Sequence, residues 1–309
     1  MEKNSHPLVA IKCFVYNHEP YLRECLDGFV MQQTDFPFVA IVHDDASTDH
    51  SADIIREYAA KYPDIIHPIY ETENQYSKQD GSLGRIMDAA IDSTGAKYIA
   101  MCEGDDYWTD PNKLQKQVDF LEEHLDYSMC FHGADILNES HREIFPKCET
   151  IENREYFPDD VYPDWVVPTA SIVYRNIAIK EYPLVHQEWI VAGDIVLIMK
   201  CMHRGRVFAF SDHMSVYRMN DGSVMAKLDN VECPRRMALH NEFLLLNFPL
   251  INKDACKYLI CSYYYYRFTR RDGMRSPLWY LYKSFSISPR TTGLLVNKGI
   301  KRVLGKFVM

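Results

Sequence analysis

Short, continuous apolar runs recur along the first hundred residues, and amphipathic segments separate them. Runs of this kind, rich in β-branched and aromatic residues, are typical of strands buried in a sheet. The first run, LVAIKCFV at residues 8–15, is followed by apolar positions at helical spacing over residues 21–32. The predicted strands are residues 8–15, 38–42, 65–70 and 97–102, and the predicted helices are residues 21–32, 51–62 and 84–92.

Beyond residue 102 the pattern is less regular. Asp110 and Pro111 suit the N-cap and the first position of a helix, which predicts a helix over residues 112–124. Residues 138–165 are rich in proline and acidic residues and predict an irregular segment. Later strands are predicted at residues 127–135, 166–174 and 207–217, and later helices at residues 190–201 and from residue 233 onward.

Strands and helices alternate over the first hundred residues, an order typical of a parallel sheet with helices on both faces. In such α/β proteins, ligands bind beyond the carboxyl ends of the strands. Two acidic groups fall at predicted strand ends: His43 to Asp45 after one strand, and Glu103 to Asp106 after another. The sequence therefore predicts an α/β protein with an acidic ligand site at one edge of its sheet.

The charge along the chain is uneven and indicates two domains. The net charge is −9, yet residues 233–309 contain 14 Lys and Arg against 3 Asp and Glu. We therefore predict a catalytic domain at residues 1–230 and a basic, Tyr-rich helical extension at residues 231–309. An anionic partner for the basic extension is one interpretation, and a solvated helical face is the other.

The cysteine pattern and the hydropathy of the chain predict the cellular compartment of the protein. The nine cysteines are scattered without a CxxC pair, and many lie in apolar runs. They predict buried, reduced thiols. The N-terminus lacks the pattern of a signal peptide, and no run of 18 apolar residues is present. A cytoplasmic protein, at most peripheral to the inner face of the membrane, is the expectation.

The stretch EGDD at residues 103–106 concentrates three carboxylates in four positions. Such a cluster costs stability unless a cation lies among the charges. Mg²⁺ or Mn²⁺ is commonly held by one or two carboxylates together with substrate phosphates. No Walker A or GxGxxG motif is present to cradle phosphates instead. A divalent cation that also binds a diphosphate is therefore predicted here, and a turn with solvated acids is the alternative.

The stretch VHDDASTDHS at residues 42–51 supplies the second acidic group. A carboxylate at a strand end can accept a hydrogen bond from a nucleobase imide or a ribose hydroxyl. We predict that either Asp44 or Asp45 contacts a ligand, whereas Asp49 holds the start of the following helix.

These stretches, with VYNHEPYLRECLDGFVMQQ, GRIMDAA and YIAMCEGDDYWTDPNKLQKQVDFL, resemble glycosyltransferase family 2 over about residues 8–220. The resemblance implies the GT-A fold, a Rossmann-like, mainly parallel mixed sheet with helices on both faces. It also implies a nucleotide-sugar donor and a divalent cation. Glu103 stands where the family more often has Asp, so the sequence leaves its role open. By resemblance, the residues that bind the nucleotide-sugar are Tyr16, Asn17, Asp44, Asp45, Arg85, Glu103, Asp105 and Arg218, and the metal ligands are Asp105 and Asp106.

Glycosyl transfer needs a base for the acceptor hydroxyl, and the resemblance places it at Asp194, an acid that opens an apolar helix. A favourable interaction with the helix dipole is the alternative role for this residue. VYRMNDGSV resembles the loop that closes over the diphosphate, with Asn220 where the family often has His. Thr169 and Ser171 are possible sugar contacts.

The resulting hypothesis is an inverting transfer from a nucleoside-diphosphate sugar, with UDP as the expected nucleotide, to a glycan or lipid-linked glycan acceptor. Polysaccharide biosynthesis is the expected context, and no nucleic-acid partner is expected. A sugar-phosphate nucleotidyltransferase and a catalytically silent nucleotide-sugar-binding protein are the alternatives. The apolar positions at residues 300–308, interspersed with Lys and Arg, predict either an interfacial helix on anionic lipid or a helix docked on the body.

Overall fold

A computed structural model describes residues 6–147, 151–219, 232–270 and 275–304, without the side chains of residues 300–304. The chain divides into two compact units. The first comprises Met1–Phe157, Trp165–Glu181 and Lys200–Asp221, and the second comprises Pro158–Asp164, Tyr182–Met199 and Gly222–Met309. The boundary predicted at residue 230 lies outside the described residues, and the proposed domain division stays a prediction.

The first unit contains a mixed sheet in the order β3-β2-β1-β4-β9-β6-β10-β5, with β7 beside β6 and β8 beside β10. Parallel pairing joins β1 to β2 and to β4, β2 to β3, and β6 to β10. The strands are β1 (Val9–Val15), β2 (Phe38–Asp44), β3 (Ile66–Tyr70), β4 (Tyr98–Met101), β5 (Tyr107–Trp108), β6 (Tyr127–Asn138), β7 (Glu143–Pro146), β8 (Arg154–Tyr156), β9 (Val173–Arg175) and β10 (Arg206–Met219).

Helices follow the strands in the order that the hydrophobic pattern predicts. The apolar faces of the first two helices pack on the sheet, and Leu26, Phe29 and Ile55 are fully enclosed. The helices are α1 (Leu22–Val30), α2 (Ser51–Lys61), α3 (Ser82–Thr94), α4 (Lys113–Glu123), α5 (Pro158–Val161), α6 (Gly193–Arg204), α7 (Glu232–Asn247), α8 (Lys253–Arg270), α9 (Pro277–Ile287) and α10 (Pro289–Leu304).

Two predicted segments differ from the structure. The prediction of a strand over residues 166–174 is wrong for its first part. Pro168 leads into a 3₁₀ turn at Thr169–Ser171, and the strand β9 begins only at Val173. The segment 138–165, predicted to be irregular, contains β7, β8 and α5. Short strands at a sheet margin carry too few residues for a clear alternating pattern.

Helices α7 to α10 belong to the second unit and have an interior of their own. Tyr264 and Tyr280 pack around the fully enclosed Ile260. The Tyr162 hydroxyl donates to Asn241 Oδ1 at 2.8 Å. Among the helices of the described ranges, none is both long and apolar enough to cross a membrane.

Lys113 opens α4 with a completely enclosed side chain. Its ammonium donates to Gln117 Oε1 at 2.8 Å and lies 4.1 Å from the centroid of the Trp108 ring. Burial lowers the pKa of Lys113 from its ordinary value of 10.5 to about 7. Between these two values the unfolded chain holds a proton that the folded chain has released, so folding becomes more favourable as the pH rises.

We therefore expect the unfolding free energy of the native chain, relative to that of Lys113→Met, to increase between about pH 7 and pH 10. The slope should approach about 1.4 kcal/mol per pH unit. Denaturant titrations at several pH values measure it, with Lys116→Met, a partly exposed position on the same helix, as the control. A pH dependence that is identical in the native chain and Lys113→Met would contradict the assignment.

Candidate nucleotide-sugar site

The two predicted acidic groups meet at one edge of the sheet in the first unit. Val15 at the end of β1 pairs in register with Asp44 at the end of β2, and Lys12 pairs with Met101 of β4. The amide of Asp45 donates to the Val15 carbonyl at 2.9 Å, and the amide of Gly104 donates to the Phe14 carbonyl at 3.0 Å. The acidic segments are therefore both fixed to the end of β1.

Asp44 and Asp45 are both buried but differ in their partners. Asp45 accepts the amides of Gln75 at 2.6 Å and Tyr76 at 3.0 Å, one on each carboxylate oxygen. Its side chain therefore holds the 3₁₀ turn at Tyr76–Lys78. Asp44 is only 3% exposed, and its Oδ1 has no hydrogen-bond partner within the described part of the chain.

The electrostatics of Asp44 follow from this environment. Burial raises the pKa of the Asp44 carboxyl, and hydrogen bonding to Ser47 opposes that shift. An enclosed carboxylate oxygen without a donor costs free energy in the folded chain. A ligand N–H or O–H that reached this oxygen would recover that cost. Of the two neighbouring acids, Asp44 therefore has the capacity to bind a ligand.

The segment after β1 is linked to the segment after β2. Asn17 has a positive φ of 56°, and its Oδ1 accepts the Thr48 amide at 2.7 Å. Asp49 accepts the amides of Glu19 and Ser51, which confirms its predicted structural role. Tyr16 is exposed beside these bonds. Asn17 thus sets the shape of the predicted base-binding region, and a contact of Tyr16 or Asn17 with a base stays a prediction.

The acidic loop packs tightly against the start of α1. A Cβ at Gly104 would lie 2.7 Å from His18 Nδ1 and 3.1 Å from the Phe14 carbonyl oxygen, so only glycine fits. The side chains of Glu103 and Asp105 are half-buried on either side of it. Burial lowers the pKa of His18, although the charges of Asp105 and Asp49 oppose that shift. His18 was not predicted as a site residue. The only sequence feature that could have indicated it is its position in the YNHEP stretch.

Asp106 is enclosed at the end of the loop. Its Oδ1 accepts the backbone amide of Arg218 at 2.9 Å. Burial, and secondly the charge of Asp105, raise the pKa of the Asp106 carboxyl well above its ordinary range. The charge of Lys147 acts in the opposite direction. Lys147 is a second residue near the site that the sequence analysis missed. The only sequence feature that could have indicated it is its positive charge in an acidic segment.

Arg218 is enclosed, and its guanidinium lies 4.8 Å from the centroid of the Tyr21 ring and 5.1 Å from that of Tyr107. It donates to the Asp105 carbonyl at 2.8 Å, to Glu24 Oε2 at 2.6 Å, and to Glu139 Oε1. Burial would lower its pKa, but the hydrogen bonds to Glu139 and Glu24 outweigh that effect and raise it. Arg218 therefore ties β10 to the acidic loop and to α1. Its predicted role on a diphosphate stays a prediction.

The remaining predicted residues lie on other elements or outside the described residues. Arg85, on α3, is exposed and donates to the Asp80 carbonyl at 2.7 Å. Asp194 lies in the first turn of α6, as predicted, and belongs to the second unit. The Ser171 hydroxyl is buried and donates to the Pro168 carbonyl, whereas Thr169 is partly exposed. Asn220 lies outside the described residues.

The carboxylates at this sheet edge bear on whether the site could hold a divalent cation. In the described ranges, no three His, Cys, Asp or Glu side chains form a cluster that could hold a metal ion. Asp106 Oδ1 accepts a backbone amide, and the other two carboxylates of the loop, Glu103 and Asp105, are half-buried. One or two carboxylates completed by substrate phosphates are an adequate set for Mg²⁺ or Mn²⁺. The loop therefore fits a cation that binds together with a diphosphate.

Comparison with solved structures supports the fold. S. aureus TarS 1–349 in complex with UDP-GlcNAc has a TM-score of 0.59 and 20% identity, over 86% of this chain and 74% of that one. Mannosyltransferase PcManGT from Pyrobaculum calidifontis, in complex with GDP-Man and Mn²⁺, has a TM-score of 0.56 and 15% identity, over 98% and 89%. The prediction of a GT-A-type α/β fold with a helical C-terminal part is confirmed.

Sequence comparison identifies relatives in several organisms. "Uncharacterized protein Rv1520" of Mycobacterium tuberculosis is 36% identical over 203 residues, which are 63% of this chain and 57% of the relative. "Uncharacterized glycosyltransferase MJ1057" of Methanocaldococcus jannaschii is 30% identical over 177 residues, 54% of this chain and 57% of the relative. The chain thus spans less than two thirds of the length of these relatives.

The model of the family described as "Glycosyl transferase family 2" matches residues 13–178, more than half of the 309 residues. The matched segment contains the end of β1, both acidic groups and α4, so it includes the sheet edge at which the acidic groups lie. The predicted family is confirmed, and the chain belongs to glycosyl transferase family 2.

Proposed function

We propose that this protein is an inverting glycosyltransferase that moves a sugar from a nucleoside-diphosphate donor, with UDP as the nucleotide, to a hydroxyl of a glycan or lipid-linked glycan. The observation that carries the proposal is the buried Asp44 carboxylate, whose Oδ1 lacks a donor at the sheet edge beside the acidic loop. Family membership and the nucleotide-sugar complexes of TarS and PcManGT support the same class of donor.

In this proposal Asp44 Oδ1 accepts the imide N–H of the base. The imide of uracil presents such a donor, whereas the corresponding ring nitrogen of cytosine is an acceptor. Asp45 acts indirectly, because its carboxylate holds the turn at Tyr76–Lys78 against the end of β2. The donor nucleotide is therefore selected by one carboxylate that the neighbouring acid helps to place.

Asp105, supported by Asp106, would hold Mg²⁺ or Mn²⁺ in the presence of the donor diphosphate. When bound, the cation supplies charge stabilisation for the departing nucleoside diphosphate. The chain keeps the loop in place through Gly104 against His18 and through Arg218 on the Asp105 carbonyl. We propose Asp194 as the base that accepts the proton of the acceptor hydroxyl, whose oxygen then attacks the anomeric carbon from the side opposite the leaving group.

We expect Asp44→Asn to weaken the binding of UDP-sugars by about tenfold or more, because it removes a charge-assisted hydrogen bond to the base. Titration calorimetry with uridine and cytidine nucleotides in the presence of Mn²⁺ measures the effect, which should be smaller for the cytidine nucleotide. In the control, Asp45→Asn should lower the thermal unfolding midpoint but retain the preference for uridine. Equal affinity of the native chain and Asp44→Asn for UDP-sugars would refute the role of Asp44.

A further inference from the structure

Helix α9 packs one side into the second unit and exposes a stripe of apolar side chains on the other. Tyr280 and Ser284 point into the second unit, where the Ser284 hydroxyl contacts the Cys261 carbonyl at 3.3 Å and the Thr292 hydroxyl at 2.7 Å. On the opposite side, Leu278, Tyr282 and Phe285 are 73%, 69% and 40% exposed. These three side chains follow at i, i+4 and i+7 and so form one stripe.

Helix α10 extends the pattern with charge. Thr292 faces the interior with Ser284, and Leu294, on the side away from Thr292, is 62% exposed. Arg290 and Lys298, one turn before and one turn after Leu294, are exposed as well. Apolar and cationic side chains thus alternate along the outer side of α10.

The positive charge of residues 273–309 favours an anionic partner. Residues 273–309 contain seven Lys and Arg and no Asp or Glu. Two copies of such a face would repel each other, whereas an anionic lipid surface attracts it. Aromatic and leucine side chains flanked by cations are the composition of helices that lie in a membrane interface.

We infer that α9 and α10 form a lipid-binding face, defined by Leu278, Tyr282, Phe285, Arg290, Leu294 and Lys298, which docks on anionic membrane. The apolar side chains enter the boundary between headgroups and acyl chains, and the cations remain at the phosphates. This face lies within the described residues. The side chains at residues 300–308, for which the sequence predicts either lipid binding or docking on the body, lie outside them.

The test is co-sedimentation of the full chain with vesicles of phosphatidylcholine, with and without phosphatidylglycerol. The native chain should bind the mixed vesicles and should lose binding in high salt. The triple variant Leu278→Ser, Tyr282→Ser, Phe285→Ser should bind them at least about tenfold more weakly. Arg290→Gln with Lys298→Gln should lose a comparable part of the binding to mixed vesicles.

Leu246→Ser with Tyr258→Ser is the matched control, since both side chains are exposed in the second unit on other helices. It should bind vesicles like the native chain, and circular dichroism should show that every variant is folded. Unchanged vesicle binding by the folded triple variant would overturn the inference. So would a native dimer that the triple variant dissociates without any effect on lipid. Since vesicle binding is measured without donor, its failure would leave the proposed transferase activity untouched.

Discussion

Asp105→Ala is expected to reduce the metal-dependent release of nucleoside diphosphate from the donor by about a thousandfold. Stabilisation of a leaving diphosphate by a divalent cation is worth several kcal/mol, and about 1.4 kcal/mol corresponds to a factor of ten in rate. Asp105 is half-buried in the loop beside Asp106, whose Oδ1 accepts the Arg218 amide. In the proposed mechanism Asp105 is the main protein ligand of the cation, and the substitution removes it.

The measurement is the rate of UDP release from UDP-sugars with Mn²⁺, together with Mn²⁺ affinity in the presence of UDP. Asp119→Ala, which removes an exposed carboxylate from α4, is the control and should keep the native rate. Removal of divalent cations with a chelator should reduce the native rate to the level of Asp105→Ala. Native release by Asp105→Ala would exclude this residue as the metal ligand, and release of pyrophosphate would favour a nucleotidyltransferase.

The second large effect is expected at Asp194. Replacement by Asn should preserve donor binding but reduce sugar transfer by about 10²–10⁴-fold, the usual contribution of a general base. The carboxylate lies in the first turn of α6, where the helix dipole favours the anionic form, and its Oδ1 accepts the Ile195 amide at 2.9 Å. Asn retains the size of the side chain and this acceptor but cannot take the proton.

Donor affinity by calorimetry and transfer of labelled sugar to a panel of alkyl glycosides separate the two effects. The control is Glu188→Gln, which neutralises another exposed acid of the second unit. Transfer at the native rate in Asp194→Asn would show that another group is the base.

Much of the sheet is predictable from sequence because β1, β2 and β4 are buried on both faces. Their apolar runs are therefore continuous and easy to recognise. Residues 166–174 look equally apolar, yet only Val173–Arg175 is a strand, because a turn begins after Pro168. A hydrophobic run alone does not indicate where the chain leaves the sheet. For this reason the predicted start of that strand was wrong.

The site was predictable in position but not in the roles of its acids. That the acidic groups meet follows from the rule that parallel strands end at the same edge. The difference between Asp44 and Asp45 depends on Gln75 and Tyr76, which lie some thirty residues further on. Arg218 is likewise held by Glu24, at a sequence separation of 194 residues. Local patterns contain no information about such distant partners.

The contacts of Arg218 have a consequence for the order in which parts of the protein fold during synthesis. The acidic loop at residues 103–106 emerges from the ribosome long before β10, yet its carbonyl and one carboxylate are held by Arg218. The nascent chain therefore carries this loop without its hydrogen bonds to Arg218 until β10 has docked. A fragment that ends at residue 178, where the family match ends, lacks that arginine. A fragment that ends before β10 would leave the Asp106 carboxylate and the Asp105 carbonyl without these two hydrogen bonds.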